Sequence, residues 1–157
     1  MKISFWSIGK AHEPMLKKAV EEFTQRVGRY YKTEWHIIPP PKNAASLSET
    51  ELKKKEAELV LDLVQPGDHL VALDENGKQM SSKKLATFIQ ARTNESTKHL
   101  IFLIGGAYGL DVAVIQKAAF SWSLSDLTFP HQLVRLILAE QVYRACTIIR
   151  NEKYHHQ

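Results

Sequence analysis

The sequence predicts an α/β fold in which a mainly parallel sheet is flanked by helices. Short β-rich apolar runs alternate with segments of helical period five times along the chain, the pattern of strand–helix–strand crossovers. One run, Leu100 to Ile104, is apolar at every position, as a strand covered on both faces requires. A length of 157 residues with 44% hydrophobic residues suits one domain, 1–157, with a core of its own.

Ile3 to Ile8 reads as the first strand, stopped at Gly9. From Pro14 the period changes: Leu16, Ala19, Val20, Phe23, Val27 and Tyr30 fall on one face of a helix. Thr33 to Ile38 is a second strand, ended by Pro39-Pro40-Pro41, and the polar stretch Lys42 to Leu47 has the composition of a mobile surface loop. Ser48-Glu49-Thr50-Glu51 has capping-box spacing and predicts a helix to about Leu63. Pro66-Gly67-Asp68 breaks it and His69 to Leu73 is a strand. Asp74-Glu75-Asn76-Gly77 is expected to be a polar turn before a helix that begins near Ser81 or Ser82. After the strand Leu100 to Ile104 come the loop Gly105 to Gly109, a helix Leu110 to Phe120 and a short strand Trp122 to Leu124. Pro130 suits the first turn of a long apolar helix that runs to about Arg150 and leaves the tail Asn151 to Gln157.

Composition narrows the function. Twenty-one Lys and Arg against 17 Asp and Glu make a mildly basic chain, which permits an RNA partner and equally describes an ordinary solvated surface. Cys146 is the lone cysteine, which rules out an internal disulfide or a Cys-based metal site and points to a reducing, cytoplasmic home. The opening residues lack the features of a signal peptide, and no segment approaches the ~20 apolar residues of a membrane span. No H-E-x-x-H, G-x-S-x-G, phosphate-binding G-x-x-x-x-G-K or Cys/His metal spacing occurs, so no metal site is expected. His36, His69 and His99 are assigned to strand packing or solvent.

In a parallel sheet the ligand site lies beyond the strand C-termini, which singles out the loops Leu73 to Gly77, Gly105 to Gly109 and Leu124 to His131. Gly105-Gly106-Ala107-Tyr108-Gly109 allows close backbone approach to a ligand, or makes a tight strand–helix turn; its spacing and position disfavour a dinucleotide fold. The run Ser121 to His131 mixes small polar and apolar residues. It could sandwich a purine and read its edge with backbone groups, or merely cap and pack the long helix. That helix is more apolar than one buried stripe demands, so either a second subunit covers a face or it is a central core element; Arg135, Glu140, Arg144 and Arg150 on it should be paired or functional. The tail, with cations beside Tyr154, His155 and His156, suits phosphate contacts and base stacking, or is a frayed terminus.

Taken in order, Ile8-Gly9-Lys10, Val71-Ala72-Leu73-Asp74, Phe102 to Leu110, Trp122-Ser123-Leu124-Ser125, Leu127 to His131, Leu138 to Ala145 and Tyr154-His155 closely resemble the RlmH family over essentially the whole length. These are pseudouridine N3-methyltransferases of large-subunit ribosomal RNA within the SPOUT superfamily. The resemblance implies a C-terminal trefoil knot, a homodimer, and S-adenosylmethionine bound in a bent form at Leu73, Gly105, Leu124, Ser125, Asp126, Leu127, Thr128 and Phe129. It also implies action on an RNA hairpin loop presented by the assembled ribosome. On that reading His131, Arg144, Tyr154 and His155 are the catalytic candidates: the imidazoles or the phenol would take the N3 proton, and Arg144 would steady the developing charge or hold a phosphate. Two rivals predict different binding: a ribosome-binding module without cofactor affinity, and a small-molecule enzyme that binds a nucleotide without ribosome association.

Overall fold

The computed structural model describes residues 1–156. Its strands are β1 (Lys2–Ile8), β2 (Lys32–Ile38), β3 (Asp68–Gln79), β4 (His99–Ile104) and β5 (Phe120–Ser123); they share one sheet in the order β2-β1-β4-β3-β5, and every neighbouring pair is parallel. The helices are α1 (Pro14–Gly28), α2 (Glu49–Leu63), α3 (Ser82–Asn94), α4 (Val112–Lys117) and α5 (His131–Ile149).

The two-residue period of the central strands builds a core on each face of the sheet. Ile3, Phe5, Leu100 and Phe102 point to one side, where Val27 of α1, Leu85 and Ile89 of α3, and Leu138 and Val142 of α5 meet them. Trp6, Ile8, Ile101 and Leu103 point to the other, against Ala57 and Val60 of α2 and Val114 of α4. This is why β4, central and covered twice, is apolar at each position from Leu100 to Ile104. Phe102 is fully buried, and its truncation to Ala would cost about 3–5 kcal/mol.

Helix α2 starts as its sequence predicts. Ser48 Oγ accepts from the Glu51 N–H at 3.2 Å, and Glu51 Oε2 accepts from the Ser48 N–H at 3.2 Å. The stretch 42–47 contains a 3₁₀ turn, Ala44–Ser46, entered through Asn43 at φ 64°.

Four expectations need correction. Asp74-Glu75-Asn76-Gly77 is not a turn that ends the strand: β3 continues to Gln79, with an irregularity in which Leu73 and Lys78 both pair with Trp122. The intervening residues bow out of register, and polar composition alone does not separate such a bulge from a turn. The helix expected over Leu110 to Phe120 is shorter, because Asp111 caps α4 by accepting from the Ala113 N–H at 2.8 Å and Phe120 already belongs to β5. Leu124 falls just beyond β5, and Pro130 occupies the cap position of α5 rather than its first turn.

Helix α5 buries Leu138, Ala139, Val142, Ala145, Cys146 and Thr147 against α1 and α3. Burial pushes the Cys146 thiol up to about 12, leaving it a small apolar group. At its end the Asn151 N–H donates to the Ile148 carbonyl at 3.0 Å and the Glu152 N–H to the Thr147 carbonyl at 2.9 Å, with Asn151 at φ 57°. That is a Schellman cap with Asn in the left-handed position, and it turns the tail back along the helix. Among the described residues, no helix is long and apolar enough to cross a membrane.

Candidate functional site

A cavity of about 460 Å³ opens at the C-terminal ends of β3, β4 and β5, where a parallel sheet gathers the loops that follow its strands. Its apolar wall comes from Leu73, Ile104, Leu124, Leu127, Phe129 and Val134. Gly105, Ser125, Thr128 and His131 also line it, so seven of the eight residues expected to hold the cofactor lie on one surface together with one catalytic candidate. Asp126 is the exception: its carboxylate faces away and accepts from Gln79 Nε2 at 2.7 Å. That bond ties the loop after β5 to the far end of β3. Ser125 Oγ accepts from the Leu127 N–H at 3.0 Å and its carbonyl from Ser123 Oγ at 3.1 Å, which closes the loop into a tight arch.

The loops singled out in sequence also bring Asp74, Glu75 and Asn76, from the bowed segment of β3, and Tyr108, from the glycine loop, to the cavity, although none of them was named as a cofactor residue. Trp122 also lines the cavity; it is 3% exposed, and its indole Nε1 is buried without an acceptor among the described residues. Sequence reasoning missed Lys53, which reaches in from α2 and carries no local signal because its helix is distant in sequence. Gly105 must be small, since a Cβ there would meet the Gly109 backbone and the Leu110 side chain at 3.0 Å.

The remaining candidates form a second cluster at the other end of α5. Arg144 donates from Nε to Glu140 Oε1 at 3.0 Å and pairs with the same oxygen through its terminal nitrogen. Tyr154 donates its hydroxyl to that oxygen at 3.1 Å, and the Arg144 guanidinium stacks 4.7 Å from the Tyr154 ring centre. His155 Nδ1 lies 3.4 Å from Arg144. Burial and then the Glu140 carboxylate push the Tyr154 phenol up, so it is held as a hydrogen-bond donor. The tail is also pinned to the turn after α1, where Tyr30 donates to Glu152 Oε2 at 2.5 Å. Frayed-terminus behaviour is therefore not what these residues show.

His131 and Arg144 are 13 positions apart on one straight helix, about 20 Å along its axis at ~1.5 Å per residue. One chain therefore presents the cavity and the tail cluster at opposite ends of α5. Between them Arg135 is 1% exposed and faces no carboxylate within bonding distance; it donates to Ser7 Oγ at 2.9 Å and lies 3.2 Å from His12 Nδ1. It fastens the start of α5 to the end of β1. Burial and then Arg135 hold the His12 imidazole below its ordinary value, so that it stays a neutral acceptor.

A third constellation looks chemical and is not. Ser4 Oγ lies 2.8 Å from His99 Nε2, and His99 Nδ1 lies 3.0 Å from Asp68 Oδ1, the connectivity of a hydrolytic triad. Ser4 is completely buried on interior strand β1, toward the end of the sheet opposite the cavity, so no substrate reaches its oxygen. The three side chains lace β1, β4 and β3 together, in line with the packing role expected of His99.

Residues 1–155 match the family described as "Predicted SPOUT methyltransferase". The chain belongs to the SPOUT methyltransferase family. It is 44% identical over 157 residues to a protein of Parabacteroides distasonis named ribosomal RNA large subunit methyltransferase H, covering all of both chains. A Cytophaga hutchinsonii protein of the same name is 46% identical over 156 residues, 99% of this chain and 100% of that one. A probable methylase family protein of Haemophilus influenzae superposes with a TM-score of 0.56 at 11% identity, covering 99% of this chain and 70% of that one, a likeness of fold alone. For a SPOUT methyltransferase, a cavity built from the loops after β3, β4 and β5 is the part of the molecule to which the family's chemistry has to be fitted.

Proposed function

We propose that this chain, as one SPOUT domain, methylates N3 of a pseudouridine in 23S ribosomal RNA on the assembled ribosome, with S-adenosylmethionine as donor, as a cytoplasmic homodimer. The observation that carries the reading is full-length identity of 44–46% to relatives named ribosomal RNA large subunit methyltransferase H.

The cavity residues fit the cofactor. Leu124, Leu127 and Phe129 offer faces for a purine, the arch from Ser123 to Thr128 offers backbone polar groups to its edge, and the orphaned Trp122 indole N–H awaits an acceptor. Asp74 and Glu75 suit the hydroxyls and cationic groups of such a ligand. When bound, the cofactor supplies an electrophilic methyl group. The chain's own residues hold the target base in line with it, and orientation accounts for most of the rate.

Tyr154, whose one O–H donates to Glu140, offers the base its ring face and a phenol oxygen that accepts, which leaves His155 or His131 to take the N3 proton. Arg144 steadies the charge that develops on the base or holds a phosphate. The separation of about 20 Å along α5 supports the dimer, because a second copy can bring its tail to a cavity that one chain's own tail does not reach. The C-terminal trefoil knot is part of the same reading and rests on the sequence resemblance alone.

Titration calorimetry with S-adenosylmethionine, followed by methyl transfer to ribosomes lacking the modification, tests the proposal. One site per subunit and label in large-subunit RNA are expected. Folded protein that binds no cofactor would overturn the enzyme reading in favour of a non-catalytic ribosome-binding module.

A further inference from the structure

Glu56 is the least expected side chain in the fold. It sits on α2, 4% exposed, and its Oε1 is buried with no hydrogen-bond partner. An unpaired buried carboxyl group is costly, and an apolar residue at this position would be the stabilising choice. Burial alone shifts the group upward; no cation lies close enough to counter it.

What it touches is Gly106. A Cβ built on Gly106 would lie 2.2 Å from Glu56 Oε2 and 2.9 Å from Oε1. Gly106 does not have a positive φ, so the carboxyl group, not the backbone, excludes a side chain there. The residues around Gly106, from Gly105 to Leu110, form one wall of the cavity. Glu56 thus stands behind the wall. Lys53, one turn earlier on the same face of α2, reaches round to the cavity itself. The wall carries polar groups of its own to be oriented, since the Ala107 and Tyr108 N–H groups donate to no backbone carbonyl among the described residues.

We propose that Glu56 is a positioning residue for the cofactor loop: its carboxyl group buttresses Gly106 from behind and fixes the path of Gly105 to Gly109, so that the cavity wall is pre-shaped for ligand. This rests on the cofactor reading of the cavity. A group retained for shape and charge at a site, at a cost to folding, separates two quantities that a purely structural residue moves together. Replacement by Gln keeps the volume and with it the buttress while removing the charge, whereas replacement by Ala removes the buttress.

The test is E56Q, E56A and G106A, singly and as the E56A/G106A pair, each measured by thermal unfolding and by titration calorimetry with S-adenosylmethionine. E56Q, which keeps the side-chain volume, is expected to unfold at or above the wild-type temperature and to bind the cofactor as wild type does, whereas E56A, which leaves Gly106 unsupported, should bind it on the order of tenfold more weakly because the loop must then be ordered by the ligand. G106A alone should lower the unfolding temperature, and most of that loss should vanish in the E56A background, because the clash is with the carboxyl group. Wild-type affinity in E56A, or additive effects of E56A and G106A on unfolding, would overturn the proposal. A wild-type protein that binds no cofactor would instead bring down the functional reading, and this inference with it.

Discussion

Replacing Glu140 by Ala removes the oxygen on which the tail cluster converges. Arg144 Nε and the Tyr154 hydroxyl both donate to Oε1, and Gln141 Nε2 donates to Oε2 at 2.7 Å. The Arg144 and Glu140 side chains are 26% and 19% exposed, between the surface regime, where a pair is worth about 0–1 kcal/mol, and the buried regime, where loss of one partner costs about 3–5. A cost of about 1–2 kcal/mol follows, and at ~2–4 °C per kcal/mol for a chain of this size it lowers the unfolding temperature by about 2–8 °C. The functional cost should be larger. Without Glu140 the Arg144 and Tyr154 side chains lose their common anchor, and a displacement of ~1 Å at a reacting centre costs on the order of 10²-fold in rate. Methyl transfer to ribosomes lacking the modification should fall by that factor, while cofactor affinity, set by cavity residues outside the tail cluster, stays within threefold of wild type. E140Q, which keeps one acceptor oxygen, should fall between. Turnover within threefold of wild type in a destabilised E140A would refute the assignment of the tail cluster to the reaction.

Asn151 holds φ 57°, so N151G should leave stability nearly unchanged and N151V should cost about 1–2 kcal/mol, read by thermal unfolding. W122F should weaken S-adenosylmethionine binding by about 5- to 30-fold if the indole N–H meets the ligand, with calorimetry as the check and unchanged affinity as the contrary result. Burial and then the bond to Glu152 push the Tyr30 phenol up to about 12. A raised folded-state value means its stabilising effect is complete below pH 10 and is lost as pH rises through about 12, so spectrophotometric titration should find late-ionising tyrosines, Tyr154 among them, of which Y30F removes one.

The sheet, its parallel sense and the position of the ligand cavity were legible because each rests on a local signal: the short apolar runs of β1 and β4 alternating with helical periods, capping at Ser48, and the loop-after-strand rule. What local pattern conceals is register. Asp74 to Gly77 have the composition of a turn, and only the partner strand β5 reveals that β3 resumes at Lys78. Glu56 and Lys53 were invisible for a different reason, since nothing in α2 says that its buried face lies behind the glycine loop. Asp126 shows the converse: the resemblance grouped it with its neighbours, whereas its side chain is spent on Gln79. The tail was undecided in sequence because Tyr154 acquires its meaning from Glu140, 14 positions earlier.

Helix α5 makes residue number itself a constraint. Substitutions along its solvent side leave the distance between His131 and Arg144 unchanged, but one inserted residue would advance everything beyond it by ~1.5 Å and rotate it by about 100°. Arg144 and the folded-back tail would then face away from Tyr30, and no change of side chain could restore them. Over evolutionary time the solvent side of this helix should drift in sequence and the helix hardly at all in length, whereas 42–47, which does not line the cavity and contains a 3₁₀ turn, should accept insertions. The spacing behaves as a ruler cut to one length.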